Sequence, residues 1–446
     1  MDKRKFLKTS AAILAGNMLS RVSGFEATEP RTNWAGNLTY HAKNLYQPES
    51  VEEVQKIVKD CRTLKSLGAR HSFNNIADNK ENQISLSKMT HVEIDAKAQT
   101  VTVGAGIKYG QLAPIIDQHG FALHNLASLP HITVAGARST ATHGSGIKNG
   151  NLSTQVRGLE LVTADGEIVK LSREHDPETF AGAVVDLGAL GVVTKVTLAV
   201  QPTYQMRQVV YQNLSFNQVE KHLDDIFSAG YSVSLFTDWQ NHKATQVWIK
   251  SKVVPGQKFE IAPEFYGATA AKVKLHPLAG HSAENCTDQL GIPGPWYERL
   301  PHFRMNFTPS SGAELQTEYL VPRARGWEAI RAVEQLRDAI TPHLFITELR
   351  TIDADELWMS TAYKRPSLAI HFTWKPEWPQ VQSVLPRIEA ALTPFDARPH
   401  WAKLFTVPGS RMQALYERLP EFKALVKHYD PQGKFRNQYL SNTIFS

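Results

Sequence analysis

The sequence predicts an α+β protein in which helices, a mixed sheet and loops occur in both halves of the chain. Three observations support this prediction. The chain has 446 residues, more than one ordinary hydrophobic core requires, so its length favours two domains. Helical and alternating patterns are interleaved throughout. After Pro202 the pattern of apolar residues changes. Strand-like runs at 246–249 and 367–373 then alternate with helical patterns near 325–340 and 381–392.

The first half contains several well-marked elements. Apolar residues at helical spacing predict one helix over residues 48–64 and a second over 109–119, which Gly120 ends. Strands are predicted at 100–103, 156–163, 167–171 and 190–200, and an Asp-Gly pair joins the middle two as a hairpin. Residues 130–150 are rich in Gly, Ser and Thr, which predicts a loop rather than a helix, and Pro and Gly mark 254–294 as a connection.

The N-terminus has the layout of an export signal. A charged head is followed by a short, mildly apolar stretch, and Lys3-Arg4 with Phe6-Leu7-Lys8 resembles a twin-arginine signal that has Lys in the first arginine position. A disordered basic tail is the alternative. We therefore expect residues 1–32 to be a leader and the protein to be exported to the periplasm or beyond. Domain changes are predicted near residues 205 and 395.

Composition and spacing exclude several classes of function. The net charge is +6 and the pI about 9.0, but Lys and Arg are scattered, so no nucleic-acid partner is expected. The sequence has no run of about 18 apolar residues, so no membrane span is predicted. Cys61 and Cys286 form no C-x-x-C motif, and we expect Cys61 to be a free buried thiol in the first helix. The 17 histidines form no H-E-x-x-H or comparable cluster, so no metal site is predicted.

A loop around His71 is the first candidate site. Small residues precede the histidine and let the backbone approach a large ligand, while Arg70 can meet a phosphate. A neutral imidazole nitrogen is nucleophilic, so it could attach to a flavin. The candidate ligand contacts in this loop are Gly68, Ala69, Arg70, His71, Ser72 and Phe73.

A second glycine-rich stretch covers residues 135–146. Backbone N–H groups in such loops form concave anion sites that suit a diphosphate. The stretch is neither a G-x-G-x-x-G helix start nor a Walker loop. On spacing alone, a phosphate-bearing ligand and a plain loop at a sheet edge both remain open.

A third group of candidate site residues lies in the second half of the chain. Residues 347–351 alternate as in a strand, so Glu348 and Arg350 point to one face. His371 and Thr373 do the same on another strand, and Lys403 follows in residues 398–403. A solvated face with a weak ion pair is the alternative interpretation.

Three ordered motifs resemble the vanillyl-alcohol-oxidase superfamily of flavoproteins. They are Gly-x-x-His-Ser-Phe-Asn from residue 68, Ala-Ser-Leu-Pro-His-Ile from residue 127 and Thr-His-Gly-Ser-Gly from residue 142. Within that superfamily the chain resembles the aldonolactone-oxidase and alditol-oxidase branch, from residue 33 to residue 435. Residues 293–296 and 307–312 make it more similar to the alditol (xylitol) oxidases of the branch.

The resemblance implies a two-domain PCMH-type fold. It makes residues 33–205 the FAD-binding domain, 206–395 an inserted substrate (cap) domain on an antiparallel-rich sheet, and 396–446 a C-terminal return. It further implies FAD attached covalently through its 8α-methyl group to His71. Beyond the His71 loop, the FAD contacts implied are Ser128, Thr133, Gly136, Thr140, Thr142, His143, Gly144 and Val193.

The same resemblance places a substrate pocket in front of the flavin, lined by Ser128, Glu348, Arg350, His371, Thr373 and Lys403. Arg350 and Lys403 would stabilise a developing alkoxide, and Glu348 would position Arg350. His371 is the expected proton acceptor.

The implied reaction is oxidation of a terminal hydroxyl of a polyol to the aldose, with O2 as acceptor and H2O2 as product, by a protein expected to be a monomer. The alternatives are an aldonolactone oxidase or dehydrogenase, and a non-catalytic exported binding protein that keeps the flavin fold.

Overall fold

A computed structural model describes residues 31–306 and 313–446. Residues Thr32–Ser446 form one compact unit, so the domain limits predicted near residues 205 and 395 stay predictions. The leader predicted over residues 1–32 falls almost wholly outside the described residues, as does the stretch 307–312. No helix in the described ranges is long and apolar enough to cross a membrane.

The strands of the first half form a small parallel sheet, a five-stranded antiparallel sheet in the order β4-β5-β9-β7-β8, and the pair β6-β10. Their bounds are β1 Asn44–Tyr46, β2 Lys65–Ser66, β3 Asn82–Ile84, β4 Val92–Asp95, β5 Thr100–Gly104, β6 Phe121–Ala122, β7 Val156–Val162, β8 Ile168–Ser172, β9 Val192–Ala199 and β10 Gln201–Pro202. The predicted strands and hairpin are confirmed. Gly166 in the hairpin turn has φ +84°, which glycine adopts without strain.

One large sheet dominates the second half. Within the described residues it has ten strands, in the order β14-β15-β11-β13-β12-β18-β19-β17-β20, with β16 beside β11. The bounds are β11 Gln205–Ser215, β12 Ser232–Thr237, β13 Lys243–Lys252, β14 Glu264–Phe265, β15 Ala268–Ala270, β16 Gly294–Pro295, β17 Leu315–Pro322, β18 Leu344–Ile352, β19 Ser367–Trp374 and β20 Arg398–Pro399. Its pairings are antiparallel, and residues 254–294 contribute only short edge strands between irregular segments.

Helices cover the sheets. The α-helices are α1 Val51–Asp60, α2 Tyr109–Gln118, α3 Val134–Ser139, α4 Pro177–Ala183, α5 Phe216–Ser228, α6 Gly326–Glu334, α7 Arg337–Ile340, α8 Trp378–Leu392, α9 Gly409–Ala414, α10 Leu419–Tyr429 and α11 Gln438–Thr443. Short 3-10 turns occur at Asn75–Ala77, Leu152–Gln155, Trp296–Glu298, Arg323–Arg325, Thr341–His343 and Thr393–Phe395. The α+β class is confirmed.

Three local predictions need correction. Residues 130–150 contain helix α3, because the Thr133 hydroxyl caps it by accepting from the Gly136 N–H and its apolar side packs inside. The helix predicted over 325–340 is two helices, interrupted at Leu336. Cys61 is a free, buried thiol as expected, but it caps the end of α1 instead of lying within it.

Two large buried clusters form the core. One joins the five-stranded sheet to helices near the C-terminus, through residues such as Val196, Phe422 and Leu440. The other packs α5, α6 and α8 against the ten-stranded sheet. The site described below lies where strands β17, β18 and β19 meet the loops of the first half.

Candidate active site

The two predicted flavin loops meet at their glycines. A Cβ atom built on Gly68 or on Gly136 would lie 2.8 Å from the Thr133 hydroxyl oxygen, a separation that real Cβ atoms do not adopt. Both glycines are exposed. The two loops therefore form one open cradle whose small residues permit a close approach by a large ligand. Such a cradle fits FAD, the cofactor that the sequence predicts.

His71 lies beside this cradle as a neutral imidazole. Its ring stacks with Trp34 at a centroid distance of 5.3 Å and with His131 at 6.2 Å. Burial lowers the pKa of His71 to about 3, and the neighbouring His131 and Lys403 act in the same direction. The ring thus keeps a nitrogen lone pair at neutral pH, which attachment to a flavin requires.

The His71 loop is fixed by the chain that precedes it. The Asn33 side chain donates to the Ser72 carbonyl at 3.0 Å, and Asn37 donates to the Phe73 carbonyl at 3.0 Å. Arg70 has φ +63°, is exposed, and donates to the Thr32 carbonyl at 3.2 Å. Its predicted contact with a phosphate stays a prediction. Ala69 and Ser72 are half-buried beside His71.

The remaining predicted flavin contacts surround α3. The hydroxyls of Thr140 and Thr142 lie 3.0 Å apart. A Cβ on Gly144 would lie 2.4 Å from the Leu126 carbonyl oxygen, so this position also needs glycine. Val193 belongs to the same buried cluster as Val134 and Ala137, against the inner side of the helix.

His143 connects the flavin loop to the second half of the chain. Its Nδ1 donates to the Gly144 carbonyl at 2.9 Å, and its Nε2 lies 3.3 Å from Glu318 Oε1. Both residues are almost fully buried. The predicted cofactor contact is therefore also part of a buried polar network.

Three strands place the chemically important side chains next to one another. Glu318 on β17 and Glu348 on β18 both pair with His371 on the central strand β19. Directly paired residues point to the same face of a sheet, so the side chains of Glu318, His371 and Glu348 lie next to one another on one face. Arg350 lies two residues beyond Glu348 on that face, and its Nε is 3.5 Å from Glu348 Oε1. The predicted common face is confirmed.

Arg350 is the cationic centre of this network. It donates to Glu318 Oε1 at 3.0 Å and to the Ser128 hydroxyl at 3.2 Å. Burial opposes its charge, but Glu348 and Glu318 raise the pKa of Arg350. Burial likewise opposes ionisation of Glu348, yet Arg350 and His302 hold its pKa well below the usual range. A permanent cation thus lies between two carboxylates.

His371 and Thr373 face the same space. His371 Nδ1 lies 3.6 Å from Glu318 Oε2, and its Nε2 is 3.4 Å from the Thr373 hydroxyl. Burial lowers the pKa of His371, although the Glu318 carboxylate partly offsets this effect. The ring is therefore neutral near pH 7 and can accept a proton.

Lys403 joins the pocket to the His71 loop. The Phe73 N–H donates to the Ala402 carbonyl at 2.8 Å, and the Asn74 side chain donates to the carbonyls of Trp401 and Lys403 at 2.8 and 2.7 Å. The Lys403 ammonium lies 4.7 Å from the centroid of the Phe73 ring. It also donates to the Gln316 side chain. Burial lowers the pKa of Lys403 to about 8.

Several members of the site were missed by the sequence reasoning. Glu318 and Gln316 lie on β17, where alternation from residue 314 to residue 318 could have placed them on one face. His302 and Lys250 gave no local signal, since they reach Glu348 only through the fold.

One group within the described ranges has the spacing of metal ligands. Atoms of His143, Glu318 and His400 all lie within 4.8 Å of one another. His400 Nδ1, however, accepts from the Ala402 N–H at 3.1 Å, so the neutral ring carries its proton on Nε2 and has no free lone pair there. The three residues belong to the buried polar network around Glu318, and the absence of a metal site stays a prediction.

Comparisons with known proteins identify the class. Residues 42–172 match the FAD binding domain family, and residues 312–443 match the D-arabinono-1,4-lactone oxidase family. The fold is similar to that of cholesterol oxidase from B. sterolicum, with a TM-score of 0.75 at 13% identity over 93% of this chain and 96% of that one. Fold and cradle together define an FAD-binding flavoenzyme with a PCMH-type domain.

Two relatives identify the branch. The chain is 46% identical to alditol oxidase of Streptomyces sp., over 93% of this chain and 98% of that protein. It is 27% identical to L-gulonolactone oxidase of Bos taurus over the same shares of the two chains. The protein belongs to the alditol-oxidase family within the vanillyl-alcohol-oxidase superfamily of FAD-dependent oxidoreductases.

Proposed function

We propose that the protein oxidises a terminal hydroxyl of a sugar alcohol, such as xylitol or sorbitol, to the aldose. O2 would reoxidise the cofactor and give H2O2. The observation that carries the proposal is the direct connection between the His71 loop and the segment that presents Lys403. It puts the cofactor cradle and the polar pocket side by side. The alditol oxidase of Streptomyces sp., at 46% identity, supports the choice of substrate class.

The pocket suits an uncharged substrate with many hydroxyls. Ser128 and Thr373 offer neutral hydroxyls, Glu348 accepts hydrogen bonds, and Arg350 and Lys403 donate them. A substrate with several adjacent hydroxyl groups needs both kinds of partner. A carboxylate or phosphate group on the substrate would instead be repelled by the negative charge of Glu348.

FAD, when bound, supplies the acceptor for the hydride that leaves the hydroxyl-bearing carbon. The chain's own residues handle the proton and the developing charge. His371 Nε2 takes the hydroxyl proton, because burial keeps this ring neutral. Arg350 and Lys403 stabilise the negative charge that grows on the oxygen in a site shielded from water. The products are then an aldehyde, a reduced cofactor and one proton on the protein.

We also propose that FAD is attached covalently to His71 through its 8α-methyl group. The neutral, half-buried imidazole beside the cradle supports this linkage. The proposal predicts flavin that stays with the protein after acid precipitation.

A lactone substrate is the second candidate. The D-arabinono-1,4-lactone oxidase match over residues 312–443 and the 27% identity to L-gulonolactone oxidase favour it. Steady-state oxygen uptake and peroxide formation with xylitol and with L-gulono-1,4-lactone separate the two. A higher kcat/KM for xylitol supports the polyol assignment, and a higher value for the lactone overturns it.

A non-catalytic binding protein is a weaker alternative, because each predicted pocket side chain is present and none is replaced by an inert one. We further propose that the protein is exported through its Lys3-Arg4 leader and acts as a monomer. Cell fractionation of the tagged protein tests export, with Lys3→Gln/Arg4→Gln as the variant expected to stay in the cytoplasm. Light scattering on the purified protein tests its oligomeric state.

A further inference from the structure

A buried chain of polar residues runs from Glu348 through His302 to Lys250. His302 Nε2 is 2.8 Å from Glu348 Oε1, and His302 Nδ1 is 3.0 Å from the Lys250 ammonium nitrogen. All three residues are buried, Lys250 being only 1% exposed. Apart from Glu348 itself, these contacts involve no residue of the cradle or the pocket lining.

The hydrogen bonds define the tautomer of His302. Lys250 on β13 also donates to the carbonyls of Leu300 and Pro301, and burial lowers its pKa to about 7. Burial lowers the pKa of His302 to about 4, so its ring is neutral near pH 7, and the ionised Glu348 carboxylate beside Nε2 can only accept a hydrogen bond. The ring proton therefore lies on Nε2 and is donated to Glu348 Oε1, and Nδ1 carries the lone pair that accepts from Lys250.

The His302 ring cannot easily turn away from this arrangement. Trp248 and Phe236 contact it edge-on, at centroid distances of 5.1 and 5.6 Å. Its backbone N–H donates to the Ser128 carbonyl at 3.1 Å. The same loop thus reaches Ser128 through its backbone and Glu348 through its side chain.

We infer that Lys250 and His302 are positioning residues, which keep Glu348 an ionised and correctly oriented ion-pair partner of Arg350 and acceptor for substrate hydroxyls. This role deepens the proposed polyol oxidation and rests on it. Neither residue touches the substrate. His302 binds Oε1 of Glu348, the oxygen that also lies 3.5 Å from Arg350 Nε, and leaves Oε2 for substrate hydroxyls.

Glu348 is surrounded by cations and titratable rings on every side. These groups are Arg350 on its own strand, His371 on β19, Lys250 on β13, and His302 and Lys403 from loops. Burial raises the pKa of Glu348, and the His302 donor is one of the groups that lower it. Without this donor the Glu348 carboxyl takes up a proton at a higher pH than in the parent. The acid limb of polyol-driven flavin reduction then lies at higher pH than in the parent.

Three variants test the inference. His302→Phe keeps an aromatic ring next to Trp248 and Phe236 but removes both ring nitrogens. Lys250→Met removes only the ammonium group. His302→Gln restores a donor towards Glu348 and an acceptor towards Lys250. Lys252→Met is the matched control. Lys252 lies on β13, the strand of Lys250, but it is exposed, and its ammonium lies over the rings of Tyr204 and Tyr231.

We expect anaerobic flavin reduction by xylitol to slow by about tenfold or more in His302→Phe at acidic pH. His302→Gln should recover most of the rate, and Lys252→Met should match the parent. Combining Lys250→Met with His302→Phe should add little to the single His302→Phe effect, because both act through one chain of hydrogen bonds. An unchanged pH profile in His302→Phe overturns the inference.

A second measurement does not depend on activity. Nitrogen-15 NMR of histidine-labelled protein should show His302 as the Nε2–H tautomer, assigned by its loss in His302→Phe, and Lys250→Met should disturb it. An Nδ1–H tautomer in the parent overturns the inference. If the parent is reduced by no polyol, the proposed function fails, while the NMR result still decides the role of Lys250 and His302.

Discussion

Replacement of Glu318 by Gln tests the electrostatics of the pocket most sharply. Its carboxylate contacts Arg350 and His143 and lies 3.6 Å from the His371 ring. Burial alone would raise the pKa of Glu318, but its contacts with His143 and His371 hold it well below the usual value. Glu318→Gln keeps the shape of the side chain and removes the charge.

The direction of the effect follows from two neighbours. The Glu318 carboxylate raises the pKa of His371 and that of Lys403, both of which burial lowers. Without it, His371 stays neutral to a lower pH, so the acid limb of the reduction rate moves down. Lys403, whose pKa is about 8 in the parent, loses its proton earlier, so the alkaline limb moves down as well.

The distance gives the size of the shift. A unit charge at about 4 Å contributes about 4 kcal/mol at an effective dielectric constant of about 20, which corresponds to at most about three pH units. Arg350 remains in place and Glu348 takes over part of its pairing, so we expect a shift of at least about one pH unit.

The assay is anaerobic stopped-flow reduction by xylitol from pH 5 to pH 10, a range of about five units that spans both limbs. Glu389→Gln is the control, because Glu389 is a half-buried carboxyl that accepts from the Tyr319 hydroxyl at 2.8 Å, outside the pocket. We expect the bell-shaped profile of Glu318→Gln to move to lower pH and that of Glu389→Gln to stay. A profile of Glu318→Gln that is unmoved, or moves upward, would refute the reasoning.

Three further predictions follow from the site. Lys403→Met should slow flavin reduction by about 10² to 10³ without altering the flavin spectrum, and equal rates in variant and parent would remove Lys403 from the reaction. His71→Ala should release its flavin on acid precipitation, and flavin retained in the pellet would rule out this linkage. Gly144→Ala, whose Cβ would lie 2.4 Å from a carbonyl oxygen, should cost about 1 to 3 kcal/mol in urea unfolding. Gly158→Ala, with its nearest atom at 3.4 Å, should be close to neutral.

The sequence predicted most of the local structure, because this depends on short-range patterns, whereas the roles of the pocket and flavin-contact residues were implied by the family resemblance and stay predictions. Alternation placed Glu348 and Arg350 on one face, and small residues around His71 and Gly136 indicated a cradle. Helix α3 was missed because a hydroxyl cap and buried packing outweigh the low helix propensity of its glycine.

The rest of the site depends on contacts between distant segments. Glu318 lies beside His371 through the register of β17 on β19, which no local pattern specifies. His302 reaches Glu348 from 46 residues away, through a loop that shows no periodicity. Such contacts arise from tertiary packing, so a single sequence could not reveal them.

The most direct test of the central claim is anaerobic mixing of the purified, yellow protein with xylitol while the flavin band is followed, and then admission of air. The account predicts that xylitol bleaches the band, that air restores it, and that H2O2 and an aldose accumulate. A band that xylitol and sorbitol leave unchanged, but that an aldonolactone bleaches, would contradict the polyol assignment.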